Sequence, residues 1–211
     1  MDRIEEFFVR PQRQKYFQHD LGPSLYFSRE LRVRRTDFTV RNLQDKQIHV
    51  SLFESDFDKN TSNCVVYLHT HHGSRLEGLP LVNKVLHGGA NFCLFDFAGY
   101  GNSDGTTVTL GYLEKHDISC VLAELRQRNQ KNFVLWGRSM GAVAALLYNQ
   151  HSQDKSVVAS VYDSPFCSLE KLTLELGSRN SGIPQFFLKP AISILKSSLK
   201  DQLDFSELEL L

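Results

Sequence analysis

The apolar run Phe133-Val134-Leu135-Trp136 leads straight into Gly137-Arg138-Ser139-Met140-Gly141, and Ala142-Val143-Ala144-Ala145-Leu146-Leu147-Tyr148 follows. A continuous apolar run of this length reads as a buried strand. The stretch after it reads as a helix that opens on small residues. G-x-S-x-G between a strand and a helix is the turn known as a nucleophile elbow. Its two glycines admit a strained backbone that lifts the serine hydroxyl above the sheet edge, and small residues let the helix pack close behind. Ser139 is therefore the candidate nucleophile, and an α/β fold is the framework it requires.

The rest of the chain supplies that alternation from about residue 36 onwards. Asp37-Phe38-Thr39-Val40 and Ile48-His49-Val50-Ser51-Leu52-Phe53 alternate with period two, as a half-exposed antiparallel pair would. Cys64-Val65-Val66-Tyr67-Leu68 is a buried strand. Leu79, Val82 and Leu86 share a helix face that stops at Gly88-Gly89. Phe92-Cys93-Leu94-Phe95 is the next strand, and Leu113, Ile118, Val121, Leu122 and Leu125 form a second helical stripe. Val157 to Tyr162 is one more strand, and Phe186 to Leu199 a last helix kinked at Pro190. Alternating β and α units describe a doubly wound, mostly parallel sheet with helices on both faces. Residues 1–34 read as an N-terminal arm and 35–211 as the domain.

Bulk properties exclude several classes. A chain of 211 residues suffices for one α/β domain with a core and is too short for two large ones. Formal net charge is zero, so neither nucleic acid nor an anionic membrane is indicated as the main partner. The basic first 36 residues and the acidic stretch from Asp201 to Leu211 read as solvated ends. Cysteines at 64, 93, 120 and 167 form no metal-type spacing. Cys93 on a strand pattern and Cys120 on a helical one read as buried free thiols, which favours a reducing compartment. The start Met1-Asp2-Arg3-Ile4-Glu5-Glu6 is too charged for a signal peptide, and no apolar stretch approaches transmembrane length. A cytoplasmic location is the expectation.

Four segments carry a family resemblance. They are Tyr67-Leu68-His69 with Thr70-His71, then Asp96-Phe97-Ala98-Gly99-Tyr100-Gly101-Asn102-Ser103, the elbow itself, and Asp163-Ser164-Pro165-Phe166. Together they resemble the α/β-hydrolase superfamily, in its serine aminopeptidase-like and abhydrolase-domain branch, over roughly residues 35 to 200. The resemblance implies an α/β-hydrolase core with Ser139 as catalytic nucleophile, acting on an ester, thioester or amide through an acyl-enzyme. It also implies an oxyanion hole of two backbone N–H groups, that of Met140 and that of His71. Thr70 stands where the family prefers glycine, and His72-Gly73 with Ser74 as donor is an alternative register. The family presents its acid and histidine on two further strands after the serine. Here the only later histidine is His151, which twelve helical residues would place roughly 18 Å away. The core is therefore expected to be C-terminally incomplete, and three readings stay open: a truncated serine hydrolase, a catalytically inactive binding relative, or an active enzyme with an improvised base from His71 or His72. The substrate, whether small molecule, lipid-acyl or peptide, is not legible.

Other motifs have plainer readings. His69-Thr70-His71-His72 lacks the Asp-His of dinuclear sites, so no metal is expected, and no cofactor either. Gly99 to Asp104 lacks the final glycine of a dinucleotide loop and reads as a tight turn ahead of a helix. Ser168-Leu169-Glu170-Lys171 is a chance S-x-x-K, Asp163 a structural hydrogen-bonding residue, and Phe186-Phe187-Leu188 helix core.

Overall fold

A computed structural model describes residues 12–28, 31–56, 61–168 and 171. The chain divides into two units, Gln12–Pro165 and a second made of Met1–Pro11 with Phe166–Leu211, and the following account concerns the first. The expected helix from Phe186 to Leu199 lies outside the described residues.

Seven strands form one sheet: β1 (Leu25–Ser28), β2 (Leu31–Arg41), β3 (Gln47–Ser55), β4 (Asn63–Leu68), β5 (Asn91–Phe95), β6 (Asn132–Arg138) and β7 (Val157–Asp163). Their order is β1-β2-β3-β5-β4-β6-β7. The expected hairpin forms with Asp37 opposite Ser51 and Phe38 opposite Val50. It extends back to Leu31, so two strands start inside the stretch read as an arm. The sheet is mixed. Antiparallel pairs β1/β2, β2/β3 and β3/β5 lead into parallel pairs β4/β5, β4/β6 and β6/β7. The parallel half carries the elbow, because only strands joined by crossovers all present their C-terminal ends to one edge.

Three helices serve as crossovers: α1 (Val82–His87), α2 (Glu114–Gln127) and α3 (Met140–His151). A 3-10 helix, Arg75–Leu81, leads into α1, and another spans Gln18–Leu21. Val82, Val85 and Leu86 of α1 pack on Val33, Phe53, Tyr67, Phe92 and Leu94, which share one sheet face. The alternate residues Val66, Leu68, Phe133 and Leu135 point to the other face and are fully buried as well. Both faces are thus covered, which is why the strands read as unbroken apolar runs. On α2 the stripe Ile118, Val121, Leu122 and Leu125 is completely buried. Cys64 and Cys93 are buried free thiols, whereas Cys120 is only half-buried and Cys167 exposed. Cys120 falls beside the α2 stripe rather than on it. Among the described residues, no helix is long and apolar enough to cross a membrane.

Candidate active site

Ser139 stands between β6 and α3 with φ 51° and ψ −114°, a conformation that L-residues avoid. It is held there from both sides. Its N–H donates to the Asp163 carbonyl at the end of β7 (2.8 Å), and its own carbonyl accepts from Val143 N–H inside α3 (3.1 Å). The flanking glycines are demanded by space. A Cβ on Gly137 would lie 2.3 Å from the Gly141 carbonyl oxygen, and one on Gly141 would lie 2.0 Å from that of Leu68. The start of α3 is therefore pressed against the end of β4. Half-buried Ser139 gives its side chain no capping role at the helix, so the hydroxyl is not spent on structure. The N-terminus of this twelve-residue helix places partial positive charge at Met140, suited to a developing oxyanion.

The loop leaving β4 is pinned residue by residue. His69 is buried, donates from Nδ1 to the Thr70 carbonyl (2.7 Å) and accepts at Nε2 from Phe97 N–H (3.1 Å). That pairing assigns it the neutral Nδ1-protonated tautomer, and burial moves its pKa further down. Its role is to tie the β4 loop to the β5 loop. The Glu77 carboxylate accepts from Thr70 N–H (3.1 Å), Thr70 Oγ1 (2.8 Å) and Tyr67 hydroxyl (2.8 Å). Thr70, placed where the family prefers glycine, is thus used as an anchor. His71 follows, with Nδ1 2.7 Å from the Tyr100 hydroxyl, and Tyr100 in turn donates to Met140 Sδ (3.0 Å). His71 and Met140, the two residues expected to supply oxyanion donors, thereby meet at one oxygen atom.

The loop after β5 is built on Asp96, which is fully buried. Its carboxylate accepts from Tyr16 hydroxyl (2.5 Å), Arg75 N–H (2.7 Å), Asn102 N–H (3.0 Å) and Arg75 Nε (3.3 Å). Arg75 also donates from Nε to the Tyr16 oxygen (2.7 Å) and from a terminal nitrogen to Ser51 Oγ (2.9 Å). Burial and the Asp96 charge both push the Tyr16 pKa up, so the phenol stays protonated and donates. Gly99 N–H donates to the Asp104 carbonyl and Ser103 N–H to that of Tyr100, which confirms a tight turn. The helix expected directly behind it begins only at Glu114.

A second carboxylate supports this loop. Asp117 on α2 accepts from Ala98 N–H (2.8 Å) and from the Asn42 side chain in the β2–β3 turn (2.7 Å). Burial pushes its pKa up to about 7 despite those bonds. The folded state therefore keeps this proton to higher pH than the unfolded chain, whose Asp titrates at about 4. Stability is expected to fall as pH rises from about 4 to about 7, by a few kcal/mol if other groups cancel. Urea midpoints across that window check this: the decline should flatten in Asp117→Asn, and an unchanged decline would assign it to other groups.

The remaining candidates have side-chain contacts of their own. His151 caps the far end of α3, its Nδ1 on the Leu147 carbonyl (2.7 Å). Exposed His72 sits against the His71 ring. The Asp163 carboxylate meets Ser164 Oγ (2.8 Å) and Arg138 Nε (3.5 Å), both local contacts. Among the described residues, no group of three or more His, Cys, Asp or Glu side chains is arranged to hold a metal ion. Tyr16, Glu77 and the Tyr100 hydroxyl were not singled out from sequence. Only Tyr100 carried a signal, by standing between the glycines of G-Y-G.

Comparison with known proteins places the chain in a family and a fold. The family model described as serine aminopeptidase, S33, matches residues 59–202. Among curated proteins, the chain is 31% identical over 120 residues to the uncharacterized protein YqkD of Bacillus subtilis, covering 56% of this chain and 39% of that one. It is 28% identical over 112 residues to the uncharacterized protein YfhR of Escherichia coli K12, covering 52% and 39%. The matched region thus spans about two fifths of these relatives. Among solved structures, the Pyrococcus furiosus esterase Pf2001 superposes with a TM-score of 0.66 at 25% identity, over 87% of this chain and 68% of that one. The Exiguobacterium antarcticum esterase shares the fold at 20% identity and a TM-score of 0.53, over 69% and 57%.

Proposed function

The chain belongs to the serine aminopeptidase S33 family, and from that premise we propose that it is a serine hydrolase acting on an ester, thioester or amide through an acyl-enzyme on Ser139. The observation that carries this reading is the strained, doubly held conformation of Ser139 at a strand–helix junction. Strain at a residue whose side chain has no structural task marks a site kept for chemistry. In the reaction, Ser139 Oγ attacks the carbonyl carbon and loses its proton to a base. Negative charge gathers on the carbonyl oxygen, and the N–H groups of Met140 and His71 receive it. Collapse expels the alcohol, thiol or amine, and water then releases the acyl group. The base and its acid are left unassigned, since His151 lies at the other end of α3 and Asp163 is engaged locally. An ester is favoured as the substrate class, because Pf2001 is named an esterase.

The test is reaction with a fluorophosphonate followed by peptide mass mapping. The reading expects one phosphonyl group on the peptide containing Ser139, with fluoride released. Label elsewhere, or none, would favour the non-catalytic reading.

A further inference from the structure

We propose that Tyr100 is a positioning residue that sets the two oxyanion donors relative to each other, through a His71–Tyr100–Met140 side-chain bridge. The inference rests on the serine-hydrolase reading above and extends it to a residue outside the nucleophile and its donors.

The bridge follows from donor bookkeeping. The Tyr100 hydroxyl lies 3.0 Å from Met140 Sδ, and a thioether has no proton, so that bond takes the hydroxyl as its donor. In the bridge its lone pairs accept from His71 Nδ1 (2.7 Å), with His71 in the tautomer that carries its proton there. Tyr100 is 1% exposed, so this oxygen has no solvent to fall back on. Burial also holds the phenol in its protonated, donating form.

The ring that carries the hydroxyl is itself fixed. It stands edge-on to His69 at 5.0 Å and to His71 at 5.9 Å. His69 is clamped between Thr70 and Phe97, and the Tyr100 amide donates to the Phe97 carbonyl (3.0 Å). On the receiving side, Thr70 is anchored by Glu77 and Gly73 N–H closes back on the Thr70 carbonyl (2.9 Å). His71 reaches across the site to the Tyr100 hydroxyl. The Met140 backbone belongs to α3 and the His71 backbone to the β4 loop, two elements that meet in the backbone at Gly141 and Leu68. A hydroxyl bonded to both side chains couples their positions, and oxyanion stabilisation depends on such registration to within a fraction of an ångström.

The experiment measures fluorophosphonate labelling of Ser139 as a rate against probe concentration, separating the limiting rate from the half-saturating concentration. Tyr100→Phe keeps the ring and removes the hydroxyl. The limiting rate should fall about 10- to 100-fold, less than the full loss of one donor, with the half-saturating concentration within about twofold. Met140→Leu keeps the backbone N–H and removes the sulfur acceptor, and should fall in the same direction. The double variant should be no slower than Tyr100→Phe alone, since both changes break one bridge. A merely structural Tyr100 would lower the melting temperature and leave the labelling rate of the folded chain unchanged, which overturns the proposal. Strict additivity of the two variants overturns it as well. If Tyr100→Phe does not fold, Met140→Leu decides alone: a slower rate supports the bridge and an unchanged rate refutes it. Absence of label on the wild-type chain would remove the serine-hydrolase reading and the bridge together. Wild-type labelling with an unaffected Tyr100→Phe would remove the bridge only.

Discussion

Ser139→Gly is expected to unfold at higher urea than the wild-type chain while losing all labelling by a fluorophosphonate. The serine holds φ 51° and ψ −114°, which glycine adopts without penalty. Relief of that strain is worth about 1–3 kcal/mol. Glycine gives back about 0.5–1 kcal/mol through the greater freedom of the unfolded chain. The net gain should be on the order of 1–2 kcal/mol, since the serine side chain contributes no capping bond that would be lost. Ser139→Ala serves as the partner measurement. It also abolishes labelling, but retains Cβ and the strain, so its stability should stay close to that of the wild type. Equal stability of the glycine and alanine variants would show that the elbow stores no usable strain. Opposite signs for stability and reactivity at one residue are what a site kept strained for chemistry predicts.

Arg75→Met is expected to cost about 3–5 kcal/mol, the largest stability loss of any single change considered. The guanidinium and the Asp96 carboxylate it serves are both buried, at 3% and 0% side-chain exposure. Methionine fills much of the same volume but leaves Asp96 with fewer donors and without its countercharge. It also deprives the Tyr16 oxygen of the Arg75 Nε bond and Ser51 of its donor. Arg75→Met combined with Asp96→Asn should recover part of the loss, because the uncompensated charge is then gone. Urea unfolding of the three variants measures this. A cost for Arg75→Met alone below about 1 kcal/mol, the range of a surface ion pair, would mean that water reaches the network.

The chain was most readable where local chemistry and periodicity agree. Strands β4 to β7 are apolar runs, each closed by its own turn residues, and the elbow could be placed by its flanks alone. β1 escaped because Leu25–Ser28 is four residues long and alternates only between half-buried and exposed, too little pattern to register. Its place is set by pairing with β2, a tertiary effect. The hairpin was seen only in part, since the buried Arg35 breaks the apolar–polar alternation that Leu31, Arg32, Val33 and Arg34 begin. Cys120 was misjudged because a helical stripe fixes a face to within one position, not the depth of each member. Within the candidate site, Ser139 and Met140 could be singled out, as both lie in one motif. Tyr16 was not, because its meaning comes from Asp96, 80 residues away. Glu77 likewise reads as an ordinary helix acid until Tyr67 and Thr70 are seen on its oxygens.

The bond from Ser139 N–H to the Asp163 carbonyl has a consequence for how the chain matures. Strand β6 and helix α3 leave the ribosome before β7 does, and for that interval the strained turn lacks the partner that satisfies its amide. A lone strand–turn–helix has nothing to hold an L-residue in that conformation, so the nascent serine rests in an ordinary, relaxed geometry. The docking of β7 beside β6, a non-local parallel pairing of the slow kind, supplies the carbonyl that holds the strained turn. On the proposed function, a chain stalled between α3 and β7 is expected to carry the motif without reacting with a fluorophosphonate.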